Sequence, residues 1–202
     1  MTESMSAGLA QEVAAAVEQL RRIMVQVRTR RAATGAGILW NVAESEGRGL
    51  VITNAHVVPG NQATIELNDG CAMRARVVAR DSKRDLAALE FEPGPAMVSM
   101  VIREPQTLRV GELVIAIGHP GGLVGAAALG IIHGAESAPE GRTPRWIRAD
   151  VRLAPGFSGG PLADATGRLV GVNTMIQGSL ALAVPAAVVE AWVEHSHALV
   201  AP

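Results

Sequence analysis

The chain has 202 residues, a net charge of −1, 18% charged side chains and a mean hydropathy of +0.24. That length suits one large domain or two fused barrels with a substantial core. The near-neutral charge offers no field for nucleic acid, and no run approaches the roughly 18 consecutive apolar residues of a membrane helix.

Residues 6–24 are Ala-rich, with Leu9, Val13, Val17, Leu20 and Met24 at three- and four-residue steps, which predicts an amphipathic helix. Arg21, Arg22, Arg28, Arg30 and Arg31 form a basic cluster, read as a solvated helix end and strand face, with a partner-binding patch as the alternative. Strand-like Val/Ile/Leu runs follow at 23–28, 35–42, 49–53, 62–67, 72–79 and 86–91. A turn-rich connector begins at Pro93, Gly94 and Pro95 and extends to about residue 108. A second set of runs covers 112–117, 125–132, 145–151, 161–163, 168–174 and 180–184. A closing amphipathic helix, 185–197, is expected to start at Pro185, a residue favoured in the first helical turn. Two sets of six strands predict an all-β protein of two antiparallel Greek-key six-stranded β-barrels, flanked by an N-terminal and a short C-terminal helix. The expected units are a helical segment 1–22, a first barrel 23–98 and a second barrel 99–202.

Three loops carry chemistry. Thr53-Asn54-Ala55-His56 and Arg84-Asp85-Leu86-Ala87 lie in the first half, and Gly156-Phe157-Ser158-Gly159-Gly160-Pro161-Leu162 in the second. A serine hydroxyl needs a base to take its proton as it attacks. His56 suits that work because imidazole titrates close to neutral pH. Asp85 would accept the other ring N–H, fixing the tautomer and stabilising the imidazolium. The glycines around Ser158 let the bend present the Gly156 and Ser158 amides to a developing oxyanion. His56, Asp85 and Ser158 are spaced 29 and 73 residues apart, in the chain order of chymotrypsin-like enzymes and unlike that of subtilisin or the α/β-hydrolases. The site is expected in the cleft between the barrels.

Around these motifs the chain resembles the trypsin-like serine proteases, and among them the bacterial HtrA/Deg branch, over roughly residues 34–190. The likeness rests on Gly35-Ala36-Gly37, Val51 to Val58, Asp85 to Leu89, Ala116 to Pro120, Asp150 to Leu162, Gly167 to Thr174 and Ala183 to Pro185. It implies endopeptidase activity on protein or peptide substrates through an acyl-enzyme, with no cofactor and no metal. It also implies that Asn173, Thr174, Met175 and Ile176 form an edge that pairs with substrate backbone by strand addition. The primary pocket would be framed by Arg152, Leu153, Met175, Ile176 and the stretch around Leu180 and Ala181. An aliphatic preference is favoured; an inward Arg152 would favour an acidic residue instead, but a buried unpaired charge is costly. A homo-oligomer, with the N-terminal helix as a candidate interface, or an activating protein partner is the remaining expectation.

Several residues depart from the branch. Phe157 replaces the usual Asn before the nucleophile, and His119-Pro120-Gly121-Gly122 replaces the usual Asn-Pro-x-Gly, a change expected to alter an activation loop. A clipped N-terminus would find no acidic partner, so that route of activation is not expected. Nor is the branch's PDZ domain expected in a chain ending at residue 202. These departures keep open a second function class: a latent binding or chaperone-like module that a partner must activate. A small-molecule esterase ranks third.

The remaining candidates have plainer readings. His119 and His133 lack carboxylates or cysteines at ligand spacing, and His195 and His197 suit a helix C-terminus. Residues Gly118 to Gly122 lack the Lys-Ser/Thr of a phosphate loop, and Asp150 is expected to support the loop before Ser158. Cys71 is the only cysteine, expected as a small buried apolar side chain. Without a disulfide, and with no basic n-region or compact apolar stretch in Met1 to Glu12, a cytoplasmic location is expected.

Overall fold

A computed structural model describes residues 2–29, 34–43, 48–94, 100–103, 108–136 and 145–200. Arg30, Arg31 and part of the connector lie outside the described residues. Helix α1 (Thr2–Ile23) leads into β1 (Met24–Arg28), β2 (Thr34–Ala43), β3 (Arg48–Thr53), β4 (Gln62–Glu66), β5 (Ala72–Asp81) and β6 (Leu86–Phe91). These six close into an antiparallel barrel in the order β1-β2-β3-β6-β5-β4. The second barrel contains β7 (Leu113–Gly118), β8 (Ala126–Glu136), β9 (Trp146–Asp150), β10 (Pro161–Asp164), β11 (Leu169–Gln177) and β12 (Leu180–Pro185). It closes in the order β10-β11-β12-β9-β8-β7, and helix α2 (Ala186–Val200) follows.

Each barrel fills with alternating aliphatic residues, since inward and outward positions alternate along a strand. The first is packed by Val25, Val27, Leu39, Val51, Ile65, Leu89 and their neighbours. The second is packed by Val114, Ile132, Ile147, Phe157, Leu162 and Val170. A third cluster joins them: Ile38, Ile52 and Leu86 from the first barrel meet Ile115, Ile117 and Val172 from the second, with Leu20 of α1 and Val189 of α2. The barrels are therefore fixed against each other by apolar packing between them.

Two local expectations change. Pro185 pairs with Gly171 and ends β12, so α2 starts at Ala186. Cys71 is exposed, because it sits in the tight β4–β5 turn where Leu67 N–H donates to its carbonyl at 2.9 Å and Asp69 accepts its N–H at 2.9 Å.

Candidate active site

His56 stands on a turn that leaves the end of β3, with Val57 and Val58 N–H donating back to the Asn54 and Ala55 carbonyls at 3.2 Å. Asp85 precedes β6 at φ 57°, the one non-glycine with positive φ among the described residues. Its backbone and its side chain face the His56 turn together. The Asp85 carbonyl accepts from Ala55 N–H at 3.1 Å and from the Asn54 side chain at 2.9 Å. Its carboxylate accepts from His56 N–H at 3.0 Å and lies 2.6 Å from His56 Nδ1. Backbone strain of this kind concentrates where surrounding contacts over-determine a residue, and here five hydrogen bonds do so.

The fifth comes from the second barrel. Thr174 Oγ1 donates to Asp85 Oδ2 at 2.7 Å. Burial pushes the Asp85 carboxyl up, but the hydrogen bonds from His56 and Thr174 outweigh it and hold the group below the ordinary aspartate value. An ionised Asp85 fixes the His56 proton on Nδ1 and leaves Nε2 as a free acceptor.

Ser158 sits at the entrance to β10, in a loop built on glycine. Its carbonyl accepts from Ala36 N–H of β2 at 2.8 Å, which ties the loop to the first barrel. Gly159 has φ 82°, and a Cβ there would lie 2.2 Å from the Ala36 carbonyl and 2.4 Å from Thr53 Oγ1. Gly156 has φ 110°, and its carbonyl accepts from His119 N–H at 2.9 Å. Among the described residues the Gly156 and Ser158 N–H groups donate to no protein acceptor. The Ser158 hydroxyl donates to the Thr174 carbonyl at 3.2 Å. Phe157 is buried in the second barrel and its Cα packs against Gly118. The departure from the usual Asn is thus an apolar anchor for the loop.

Beyond Asn173, β11 is paired with β12 alone, which leaves its other edge open at Thr174–Gln177 among the described residues. Met175 and Ile176 are 46% and 51% exposed there, whereas Asn173 and Thr174 are buried at 0% and 3%. A bulge between Asn173 and Met175 turns the Thr174 hydroxyl to Asp85. Leu153 is half-buried against the second core, and Arg152 is exposed. Asp150 is exposed at the end of β9; among the described residues its carboxylate makes no bond to the Ser158 loop, so the supporting role expected of it is not seen.

Arg80 was not singled out by motif. From β5 its guanidinium donates to the carbonyls of Ala55 at 3.1 Å, Val58 at 2.7 Å and Gly60 at 2.8 Å, clasping the turn that carries His56. Its partners lie 20 to 25 residues away in sequence, beyond any local signal. Among the described residues no three His, Cys, Asp or Glu side chains gather as metal ligands. Among them, too, no helix is long and apolar enough to cross a membrane.

Residues 35–172 match the trypsin-like peptidase domain. The chain belongs to that family. It is 36% identical over 165 residues to a Synechocystis protein described as a serine protease, HhoA, covering 78% of this chain and 41% of that one. It is 33% identical over 147 residues to the periplasmic pH-dependent serine endoprotease DegQ of Escherichia coli, covering 70% and 31%. The structure of an HtrA-type protease, AlgW, with tripeptide superposes with a TM-score of 0.78 at 26% identity, over 90% of this chain and 62% of that one. The HtrA-like reading of the motifs holds. The chain spans well under half the length of the curated relatives it matches.

The cytoplasmic expectation is overturned. Relatives from Haemophilus influenzae, Rhizobium meliloti, Halomonas elongata and Escherichia coli are named as periplasmic. A lone cysteine was a poor guide, because a chain that forms no intrachain disulfide is compatible with reducing and oxidising compartments alike.

Proposed function

We propose that the chain is a serine endopeptidase whose nucleophile is Ser158, with His56 as general base and Asp85 as its orienting carboxylate. The observation that carries this reading is the Asp85 carboxylate, held from one barrel by His56 and from the other by Thr174, beside a loop with two unpaired amides. Ser158 Oγ attacks the scissile carbonyl carbon while its proton passes to His56 Nε2. The carbonyl π pair moves onto oxygen, and that oxyanion takes hydrogen bonds from Gly156 and Ser158 N–H. Collapse breaks the C–N bond, His56 returns the proton to the leaving amine, and water repeats the sequence on the acyl-serine ester. The open edge at Thr174–Gln177 would hold the substrate strand by main-chain bonds. Exposed Met175 and Ile176 and a half-buried Leu153, with Arg152 turned to solvent, favour an aliphatic residue at the cut.

One observation favours a second reading, a latent binding or chaperone-like module. The resting Ser158 hydroxyl points to Thr174 rather than to His56. A neutral hydrogen bond contributes about 1 kcal/mol net, a factor of roughly five, so rotating the hydroxyl towards His56 is a small barrier and the enzymatic reading stands.

A peptide library digested by the wild type and by Ser158→Ala tests it. Cuts after aliphatic residues by the wild type alone are expected. Unfolded protein bound by both chains with no turnover by either would establish the second reading instead.

A further inference from the structure

The loop that follows β7 holds a buried histidine with no part in the proton transfers above. His119 is only 2% exposed, and its Nε2 has no hydrogen-bond partner. Its Nδ1 accepts the Gly125 N–H at 3.3 Å, so the proton of the neutral ring is on Nε2. Its own N–H donates to the Gly156 carbonyl at 2.9 Å. Contact between the two residues is closer still on the other side: a Cβ on Gly156 would stand 2.5 Å from the His119 carbonyl. Between His119 and Gly125 the chain makes a single 3-10 turn, Pro120–Gly122, closed by Leu123 N–H donating to Pro120 at 3.0 Å. Gly121, Gly122 and Gly125 all have positive φ, at 59°, 84° and 65°. The far end of the loop is covered by α1, since a Cβ on Gly125 would meet Arg21 Nε at 2.7 Å.

We propose that His119 is a positioning residue for the oxyanion loop, holding Gly156 in place only while its imidazole is neutral. The backbone of His119 is the partner of Gly156, and the ring of His119 fixes that backbone by taking the Gly125 N–H. A proton added at Nδ1 would face that N–H head-on, donor against donor. The bond breaks, the 119–125 loop shifts, and Gly156 loses the group that sets its peptide plane. One misplaced oxyanion donor costs about 100- to 1000-fold in rate.

The surroundings favour the neutral ring. Burial pushes His119 down, and the Val25 backbone and the Glu66 carboxylate only partly offset it. The charged groups facing the loop are few. Glu66 of β4 is paired with Arg28 of β1 at 2.5 Å, and Arg21 of α1 with Glu18 at 3.3 Å. The Gly156–Ser158 loop contributes no charge of its own. Because the folded value is depressed, neutral His119 adds stability that is complete above the unfolded value near 6.5 and is lost as pH falls through the folded one.

This inference rests on Ser158 being the nucleophile, and the test separates the two claims. The second-order rate of fluorophosphonate labelling, read by intact mass, is followed from pH 8 downward for the wild type, His119→Gln and His119→Asn. Both variants keep an acceptor for Gly125 N–H and remove the titration. One proton on the general base gives a limb of about tenfold per pH unit in every chain, and a second on His119 steepens the wild type alone to about 100-fold per unit. Rates must recover on return to pH 8, which excludes acid unfolding. Identical single-proton limbs in a labelled wild type and its variants overturn the role of His119 and leave the protease reading intact. A folded wild type that never labels overturns both. Should the variants not fold, nitrogen NMR of the wild type decides: Nδ1 of His119 unprotonated at pH 7 and titrating with the second limb supports the inference, and Nδ1 protonated at pH 7 overturns it.

Discussion

The two barrels hold their shares of the site by different means. In the first, side chains do the bracing: Arg80 clasps the His56 turn through three carbonyls, Asn54 holds the Asp85 carbonyl, and the Asp85 carboxylate takes the His56 N–H. In the second, backbone meets backbone. Ser158 is placed by its carbonyl on Ala36, by the Gly159–Asn173 and Asn173–Gly160 bonds, and by glycines with no room for a methyl group. Side-chain bracing is shared among several bonds and degrades in steps. Backbone placement through glycine has no spare contact and fails at once.

The sharpest break is expected at Gly159→Ala, where the new Cβ would strike two oxygens at φ 82°. A loss of about 3–5 kcal/mol in denaturant unfolding, with activity abolished, is the expected result. Gly178→Ala is its control: φ is 64° with nothing within 4 Å, so only the left-handed backbone cost of about 1–2 kcal/mol remains. Equal losses at the two positions would remove the distinction.

Thr174→Val probes the one side-chain bond that crosses from the second barrel to Asp85. A hydrogen bond to a charged group is worth about 1.5–3 kcal/mol, so turnover is expected to fall roughly tenfold or more. The sign of its pH effect is fixed. Asp85 lies below its ordinary value in the folded chain, so its contribution to stability is present above the unfolded value and lost as pH falls through the folded one. Losing the Thr174 bond raises the folded value towards the unfolded one, so the acid loss of stability should become smaller and end at higher pH. An unchanged acid limb in thermal unfolding would mean Thr174 does not hold the carboxylate.

The smallest effect is expected at Arg80→Ala. Three bonds are lost, but the His56 turn keeps its own backbone bonds and those to Asp85. A fall in kcat of about threefold with KM unchanged fits an orienting role; a rise in KM alone would place Arg80 in substrate binding.

The same contrast decides what could be read from the sequence. The meeting of His56 with Asp85 was legible because the chemistry proposed for them and Ser158 demands particular residues in short glycine- or apolar-bounded motifs. The twelve strands were legible as aliphatic runs, and most ends fall within two residues; β8 continues farther through His133–Glu136, which carry little apolar signal, and β11 through the exposed Met175–Gln177. Thr174 was read only as a substrate edge, because strand alternation does not reveal the bulge that turns its hydroxyl to Asp85. Arg80 reads as one more surface charge until the fold brings its distant carbonyls together. Phe157 read as a departure from the branch's motif, and its burial in the second core is set by which way the loop faces.

The central claim is that Ser158 is a competent nucleophile activated by His56. Treating the purified chain with a fluorophosphonate beside Ser158→Ala and His56→Ala, and reading intact mass, tests it most directly. The account predicts one adduct per wild-type chain, mapped to Ser158 and absent from both variants. A well-folded wild type with no adduct, or an adduct that persists in Ser158→Ala, would contradict it.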